Sequence, residues 1–333
     1  MLQVYGNTEL CAALASMAES GRIPHAMLFH EDDGGGAFPI VLNFLEQVYG
    51  GNPRVQKLIH PDIHFIFPVA GPADRKPVSA QFIVPFRELL LENPCFFESE
   101  LYPAIGIEGK QGLISVNEAR SLLETLSLSA VEGGYRSVVM YLPEKMNPQA
   151  ANALLKMVEE PSENTLFLLI THAPEKVLIT IASRCLQLRV RPMSAQELRS
   201  VHPKEAEGNV VLADLFADLM QALLEKDLLG ALETGEAFAA LESRERQKAF
   251  CAQSSVAFRQ IFLIQQGLDS LADASNPQAP LFRELAGKLK PSFPRLAMLA
   301  LDRAKTLLER NVNQKILFTD LVNQLYIRID GLR

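Results

Sequence analysis

The sequence predicts an α/β domain on a parallel sheet, then a short lid, then an all-helical C-terminal domain. Three observations predict it. Apolar runs of strand length alternate with amphipathic helical segments through residues 1–191, the pattern of a parallel sheet covered on both faces. From 211 to 333 only helical periods occur. Between the first strand and the helix after it lies HEDDGGGAF, residues 30–38, a glycine-rich turn where a phosphate-binding loop belongs.

The elements follow in order. Leu10, Ala13, Leu14 and Met17 share one face of a helix over 7–19, and Gly21 and Pro24 lead into a strand at 26–29. A helix near 38–49 stops at YGGNP, and DIHFIFPV alternates as a second strand. Residues 70–112, rich in Pro and Gly, are expected as a surface insertion with one helical patch near 80–91. Ser115 and Glu118 form a capping-box pair for the helix carrying Leu122, Leu123 and Leu126. RSVVMYL (136–142) is a buried strand. Asn147 caps the next helix, with Pro148 at its first position and Pro161 as its stop. TLFLLIT is a strand, PEKVLITIASRC a helix and LQLRV the last strand. The expected domains are 1–191, a reduced lid or linker at 192–210, and a helical oligomerisation domain at 211–333.

Composition narrows the functions available. With 48% apolar and 21% charged residues, the 333-residue chain has ample core. No apolar run reaches the ~18 residues of a membrane span, and the N-terminus lacks a signal-peptide layout, so a cytoplasmic protein without membrane partners is expected. Cys11, Cys95, Cys185 and Cys251 stand far apart with no C-x-x-C pair, which argues against a disulfide framework or a zinc knuckle. His60 and His64 have i, i+4 spacing but fall beside and within a strand pattern, so no metal site is expected. A net charge of −7 gives no global attraction to nucleic acid.

A nucleotide loop needs glycines that turn backbone N–H groups to the phosphates, a lysine for the β- and γ-phosphates, and a hydroxyl for magnesium. Gly34, Gly35 and Gly36 remain, but Ala37 holds the lysine position and Phe38 the hydroxyl position. Glu31, Asp32 and Asp33 add negative charge where a triphosphate would lie, so nucleotide binding is expected to be weak or absent.

GRIPHAMLF, HPDIHFIFPV, EGGYRSVVM and EKMNPQAANALLKMVEEPSENTLFLLITHAPEKVLITIASRC together resemble the delta-prime subunits of bacterial DNA polymerase III clamp loaders, an ATPase-inactive branch of the AAA+ family. The likeness is dense over about 20–191 and rests on helix pattern beyond. It implies an AAA+ sheet domain with a degenerate P-loop and a helical collar. The acidic pair that holds magnesium in hydrolysing relatives falls here on Tyr141 and Leu142, which can neither bind metal nor activate water. Glu144 is two residues displaced and receives no role. Thr171 matches the residue that senses the γ-phosphate, and the lid arginine falls on Val211 in AEGNVVLA.

Ser183-Arg184-Cys185 matches the intact SRC motif, whose arginine reaches a neighbour's ATP. A guanidinium suits that task because it is permanently charged and grips a phosphate bidentately. The resemblance therefore implies a non-hydrolysing subunit with no cofactor of its own. It would join ATPase subunits and a delta subunit, act indirectly on the sliding clamp, and serve primer–template DNA in the assembled complex as part of the polymerase holoenzyme. The helix from Ser115 is expected to offer N–H groups to DNA phosphates. Two features depart from the family: the four-cysteine zinc module before HPD is missing, and the lid is short. An active AAA+ motor ATPase is the alternative reading, opposed by Ala37, Phe38, Tyr141 and Leu142 together. A stand-alone DNA-binding protein would predict a basic face or base-stacking aromatics, and the chain is acidic with no tryptophan.

Overall fold

The computed structural model describes residues 2–71, 77–107, 112–241, 243–272, 276–310 and 312–329. They form two compact units, Met1–Met193 and Ser194–Arg333.

In the first unit the chain runs α1 (Thr8–Ser20), β1 (Ala26–His30), α2 (Ala37–Val48), α3 (Pro53–Gln56), β2 (Ile63–Ile66), α4 (Ile83–Glu92) and α5 (Glu98–Ala104). It continues with α6 (Val116–Ser127), β3 (Arg136–Tyr141), α7 (Pro148–Glu159), β4 (Thr165–Thr171), α8 (Ile179–Ala182) and β5 (Leu186–Arg189). The five strands lie in the order β2-β3-β4-β1-β5, every pair parallel. Central β4 is buried along its whole length, as a strand covered on both faces must be. Side chains alternate across it: Phe29 and Tyr141 join one core cluster, Leu28, Val138 and Phe167 the other. The parallel register brings the carboxyl ends of β1, β3 and β4 to one rim, with His30 beside Thr171 and Tyr141 beside Ile170. Ligands of open α/β sheets bind at such a rim.

Three local expectations change. Residues 70–112 are not merely a surface insertion: their described part includes α4 and α5, whose Phe86, Leu90 and Leu101 are buried in the same cluster as Phe29, with Phe96 between them. Phe86, at the centre, stacks on Phe67 at 4.1 Å between centroids. The prolines punctuate this stretch without exposing it, because Phe86 and Leu90 repeat at helical spacing. Ser115 and Glu118 do not form a capping box. The Glu118 carboxylate instead accepts from the Ser79 N–H at 2.7 Å and the Ser79 hydroxyl at 2.5 Å. PEKVLITIASRC is not one helix, since Val177 and Leu178 are extended between a turn at Pro174–Lys176 and the four-residue α8. Burial of Val177 and Ile181 beneath α7 offsets the lost helical bonds.

The second unit comprises α9 (Ala195–Val201), α10 (Pro203–Glu225), α11 (Leu228–Ala239), α12 (Arg244–Gln265), α13 (Ala279–Lys288), α14 (Phe293–Glu309) and α15 (Gln314–Ile329). No strand occurs among its described residues. Ser194, Asp227 and Ser243 each accept a backbone N–H at a helix start. The core is aromatic: Phe238 stacks on Phe250 at 3.9 Å, and Phe258 meets Phe216 and Phe293 edge-on. The expected division at 210/211 falls inside α10, which runs unbroken through Gly208 and Val211. Arg246 lies against Gly208 and pairs with Glu205 at 2.9 Å, bracing α10 on α12.

Phe86→Ala should cost about 3–5 kcal/mol, the range for a fully buried Phe. A urea titration checks this; a loss under ~1 kcal/mol would show that α4 is a surface appendage.

Candidate functional site

β1 ends at His30 and hands the chain to Glu31, which is only 4% exposed. One Glu31 carboxylate oxygen, Oε2, accepts the N–H of Ala37 at 2.7 Å. Ala37 is the first residue of α2, so the carboxylate occupies the positive end of that helix, the position a bound phosphate would take. Gly35 is required by this contact: a Cβ there would lie 2.4 Å from Glu31 Oε2. Gly34 has φ of +76°, and the Phe97 ring covers it so closely that a Cβ would meet the ring at 2.3 Å. Asp33 accepts the N–H of Glu98 at 2.7 Å, tying the turn to α5. Gly36 is the residue before α2.

The other positions expected from the sequence at a nucleotide site are filled in the same way. Phe38 is buried and packs against Tyr141, Phe96 and Phe86 at centroid distances of 5.1, 5.5 and 6.1 Å. Tyr141 is fully buried, and its hydroxyl has no hydrogen-bond partner among the described residues. Burial pushes that phenol well above its ordinary pKa, so it stays neutral. Leu142 is buried too, at φ of +58°, its N–H donating to Ile170.

Thr171 donates its hydroxyl to Glu144 at 2.8 Å, and Glu144 also accepts the N–H of His172 at 3.0 Å. The hydroxyl at the expected sensor position is therefore engaged within the chain. His172 lies 3.8 Å from Glu31 and 3.5 Å from Asp33, ion-pair contacts too long for hydrogen bonds. Burial lowers the His172 pKa, but Glu31, Asp33 and Glu144 outweigh it and hold the imidazole above its usual 6.5. Burial lifts the Glu31 carboxyl above 4.5.

Sequence reasoning anticipated a turn hostile to triphosphate but missed the roles of Glu31, Glu144 and His172. The only signal was the position of two acids and a histidine just beyond strand ends. Val211 lies exposed on α10 in the second unit. The start of α6 has Ser115 with a buried hydroxyl that makes no hydrogen bond among the described residues. Among those residues no His, Cys, Asp and Glu group could hold a metal, and no helix is long and apolar enough to cross a membrane.

The SRC segment stands apart from that filled cleft. Asn147 accepts the N–H of Ala150 at 2.7 Å and starts α7, whose last residue is Glu159. Arg184 Nη2 pairs with Glu159 Oε1 at 2.6 Å, and Nη1 donates to the Thr180 carbonyl at 2.8 Å. The arginine side chain nevertheless remains 40% exposed. At that exposure the ion pair is worth about 0–1 kcal/mol, enough to orient the guanidinium but not to lock it. Ser183 donates to the Thr180 carbonyl at 3.2 Å. Cys185 is buried, and burial raises its thiol to about 11, so it packs and does not react. Leu178, Ile179 and Leu186 leave apolar surface exposed on the same edge.

The family model described as DNA polymerase III, delta subunit, matches residues 6–194, more than half of the chain. The chain belongs to that family. The DNA polymerase III subunit delta' of Pseudomonas aeruginosa is 47% identical over 74 residues, 22% of this chain and 23% of that one. The delta' subunit of Bacillus subtilis is 30% identical over 127 residues, 38% and 36% of the two chains. The tau subunit of Escherichia coli is 33% identical over 84 residues, 25% and 13%. The matched segments thus span well under half the length of these relatives. A DNA polymerase III gamma subunit-related protein from Thermotoga maritima aligns over 95% of this chain and 99% of its own, at 19% identity and a TM-score of 0.39, too low to bear on the site.

The charge pattern gives a pH signature. Because its folded-state pKa is raised, the stabilisation from protonated His172 is complete below pH 6.5 and lost as pH rises through the elevated value. Glu31, also raised, adds a loss of the same sign that begins at 4.5. The melting temperature of the wild-type chain should therefore fall as pH rises above 6.5, and that fall should flatten in His172→Gln. Parallel slopes for the two proteins would refute the assignment.

Proposed function

We propose that this chain is the non-hydrolysing subunit of a DNA polymerase III clamp loader and supplies Arg184 to the ATP held by a neighbouring subunit. The observation that carries this is the contrast between the two sites. The chain's own nucleotide cleft is occupied by Glu31, Phe38, Phe97 and Tyr141, while Arg184 is oriented and left part-exposed.

In this reading the filled cleft binds no nucleotide, and the ATPase fold serves to position the α7 end and the SRC turn. Glu159 holds the guanidinium near its working direction. A γ-phosphate from a neighbour offers several oxygens and more charge than one exposed carboxylate, so Arg184 exchanges partners at small cost. Ser183 and buried Cys185 support the turn. The exposed Leu178, Ile179 and Leu186 give the contact an apolar component. Membership of the delta subunit family supports the assembly: ATPase subunits of the tau type and a delta subunit as neighbours, the helical second unit as collar, the clamp reached indirectly, and primer–template DNA met only in the complex. The motor-ATPase alternative requires a phosphate where Glu31 already stands.

The test is ATP turnover by a rebuilt complex carrying Arg184→Ala in this chain, beside the isolated wild-type chain. The isolated chain should be inert. The altered complex should lose about 10³-fold of the turnover at the one site it serves. Arg184→Lys should recover little, because an ammonium lacks the planar bidentate fork. Unchanged turnover in Arg184→Ala would leave the subunit a spacer, and turnover by the chain alone would revive the motor reading.

A further inference from the structure

A second polar site lies at the far edge of the sheet. A cavity of about 260 Å³ opens where α4, α6 and edge strand β2 meet. Its walls include Arg87 from α4, Ser121 from α6 and His64 from β2. Arg87 has a buried Nε with no hydrogen-bond partner, and no ion pair to Arg87 occurs among the described residues. The rest of the side chain is part-exposed, and an enclosed donor without an acceptor calls for a bound water or ion. Partial desolvation lowers the Arg87 pKa.

The neighbouring acid is not the counter-charge of Arg87. Glu118 also lines the cavity, but it makes no ion pair with Arg87 among the described residues, and its two oxygens accept the N–H and hydroxyl of Ser79. His60, on the same wall, is directed to Glu132 at 3.2 Å. Burial lowers the His64 pKa, Asp62 opposing and Arg136 reinforcing, so its imidazole is neutral at physiological pH and donates from one nitrogen. Neither His64 nor Ser121 spends its side chain on a hydrogen bond among the described residues. Three residues with side-chain donors thus line one cavity, from a strand and two different helices.

We propose that this cavity binds a tetrahedral oxyanion, free inorganic phosphate or the terminal phosphate of a nucleotide, with Arg87 as principal ligand and His64 and Ser121 as supporting donors. Side chains with donors on three separate elements around the cavity suit a tetrahedral anion better than a carboxylate, which presents its lone pairs in one plane. The volume holds a phosphate group with accompanying water but leaves a nucleoside outside the mouth. The site is separate from the filled cleft, since Glu31 and Ala37 lie on no wall of it.

Calorimetric titration of sodium phosphate into the full chain, at constant ionic strength set with chloride, tests this. Wild type should bind one equivalent, sulfate should compete and acetate should not. Arg87→Gln, which keeps the aliphatic stem, should weaken binding by about tenfold or more, the loss expected for a charged hydrogen bond. Ser121→Leu, a change on the face of α6 that should leave the fold intact, should block the cavity and abolish binding even if Arg87→Gln fails to fold. A parallel titration with ADP separates the sources: tighter binding than phosphate, still lost in Ser121→Leu, assigns the nucleotide; equal or weaker binding assigns the free ion. No saturable binding by wild type, binding unaffected by Ser121→Leu, or acetate matching phosphate would overturn the proposal.

Discussion

The hydrogen bond from the Ala37 N–H to the Glu31 carboxylate organises the rim of the first unit. A helix that starts in a buried turn leaves N–H groups that need an acceptor. In a nucleotide-binding loop the ligand is that acceptor. Here the chain supplies it from the residue just after β1, and the consequences spread outward. The carboxylate draws in His172, which also faces Asp33, and Asp33 in turn fixes the start of α5. With α5 in place, Phe97 covers Gly34, and Phe96 reaches the ring cluster around Phe38 and Tyr141. What would be a wet, ligand-dependent cleft has become part of the hydrophobic core.

That exchange explains how the rim is stable with Ala37, Phe38, Tyr141 and Leu142 where the proposed reading places a lysine, a hydroxyl and an acidic pair in hydrolysing relatives. A vacant cleft would leave helix N–H groups unpaired and apolar walls wet, each at a cost of kcal/mol order. Filling it with the chain's own carboxylate and rings removes both penalties. The arginine edge follows the opposite logic. Glu159 and the Thr180 carbonyl hold Arg184 through exposed contacts, which stabilise little and can be given up. A sealed rim confers rigidity, and a loosely held guanidinium confers availability. The two belong to one device if the rigid sheet is what aims the arginine.

Much of this was legible in the sequence because it depends on local physics. Apolar runs of strand length located β1 to β5, helical periods separated the second unit, and Asn147 with Pro148 marked the start of α7. The residue types at 37, 38, 141 and 142 alone decided that no phosphate lysine, magnesium hydroxyl or metal-binding acid stands at those positions. The motif at 183–185 singled out the arginine.

Tertiary structure decided which groups meet at the rim. That Glu31 folds back six residues onto a helix start, that Glu144 takes the Thr171 hydroxyl, and that Glu118 turns to Ser79 rather than Ser115 depends on where separate elements meet. A carboxylate in a sequence carries no mark of which donor it will reach. The same holds for α4 and α5, whose prolines suggest exposure while Phe86 and Phe96 enter the core. It holds also for Arg87, an ordinary helix residue until packing near β2 and α6 encloses its Nε with no ion-pair partner among the described residues. Local pattern fixes elements, because periodicity and caps act over a few residues. The partners of buried polar groups are set by contacts between segments far apart in the chain, and those exist only once the sheet has formed.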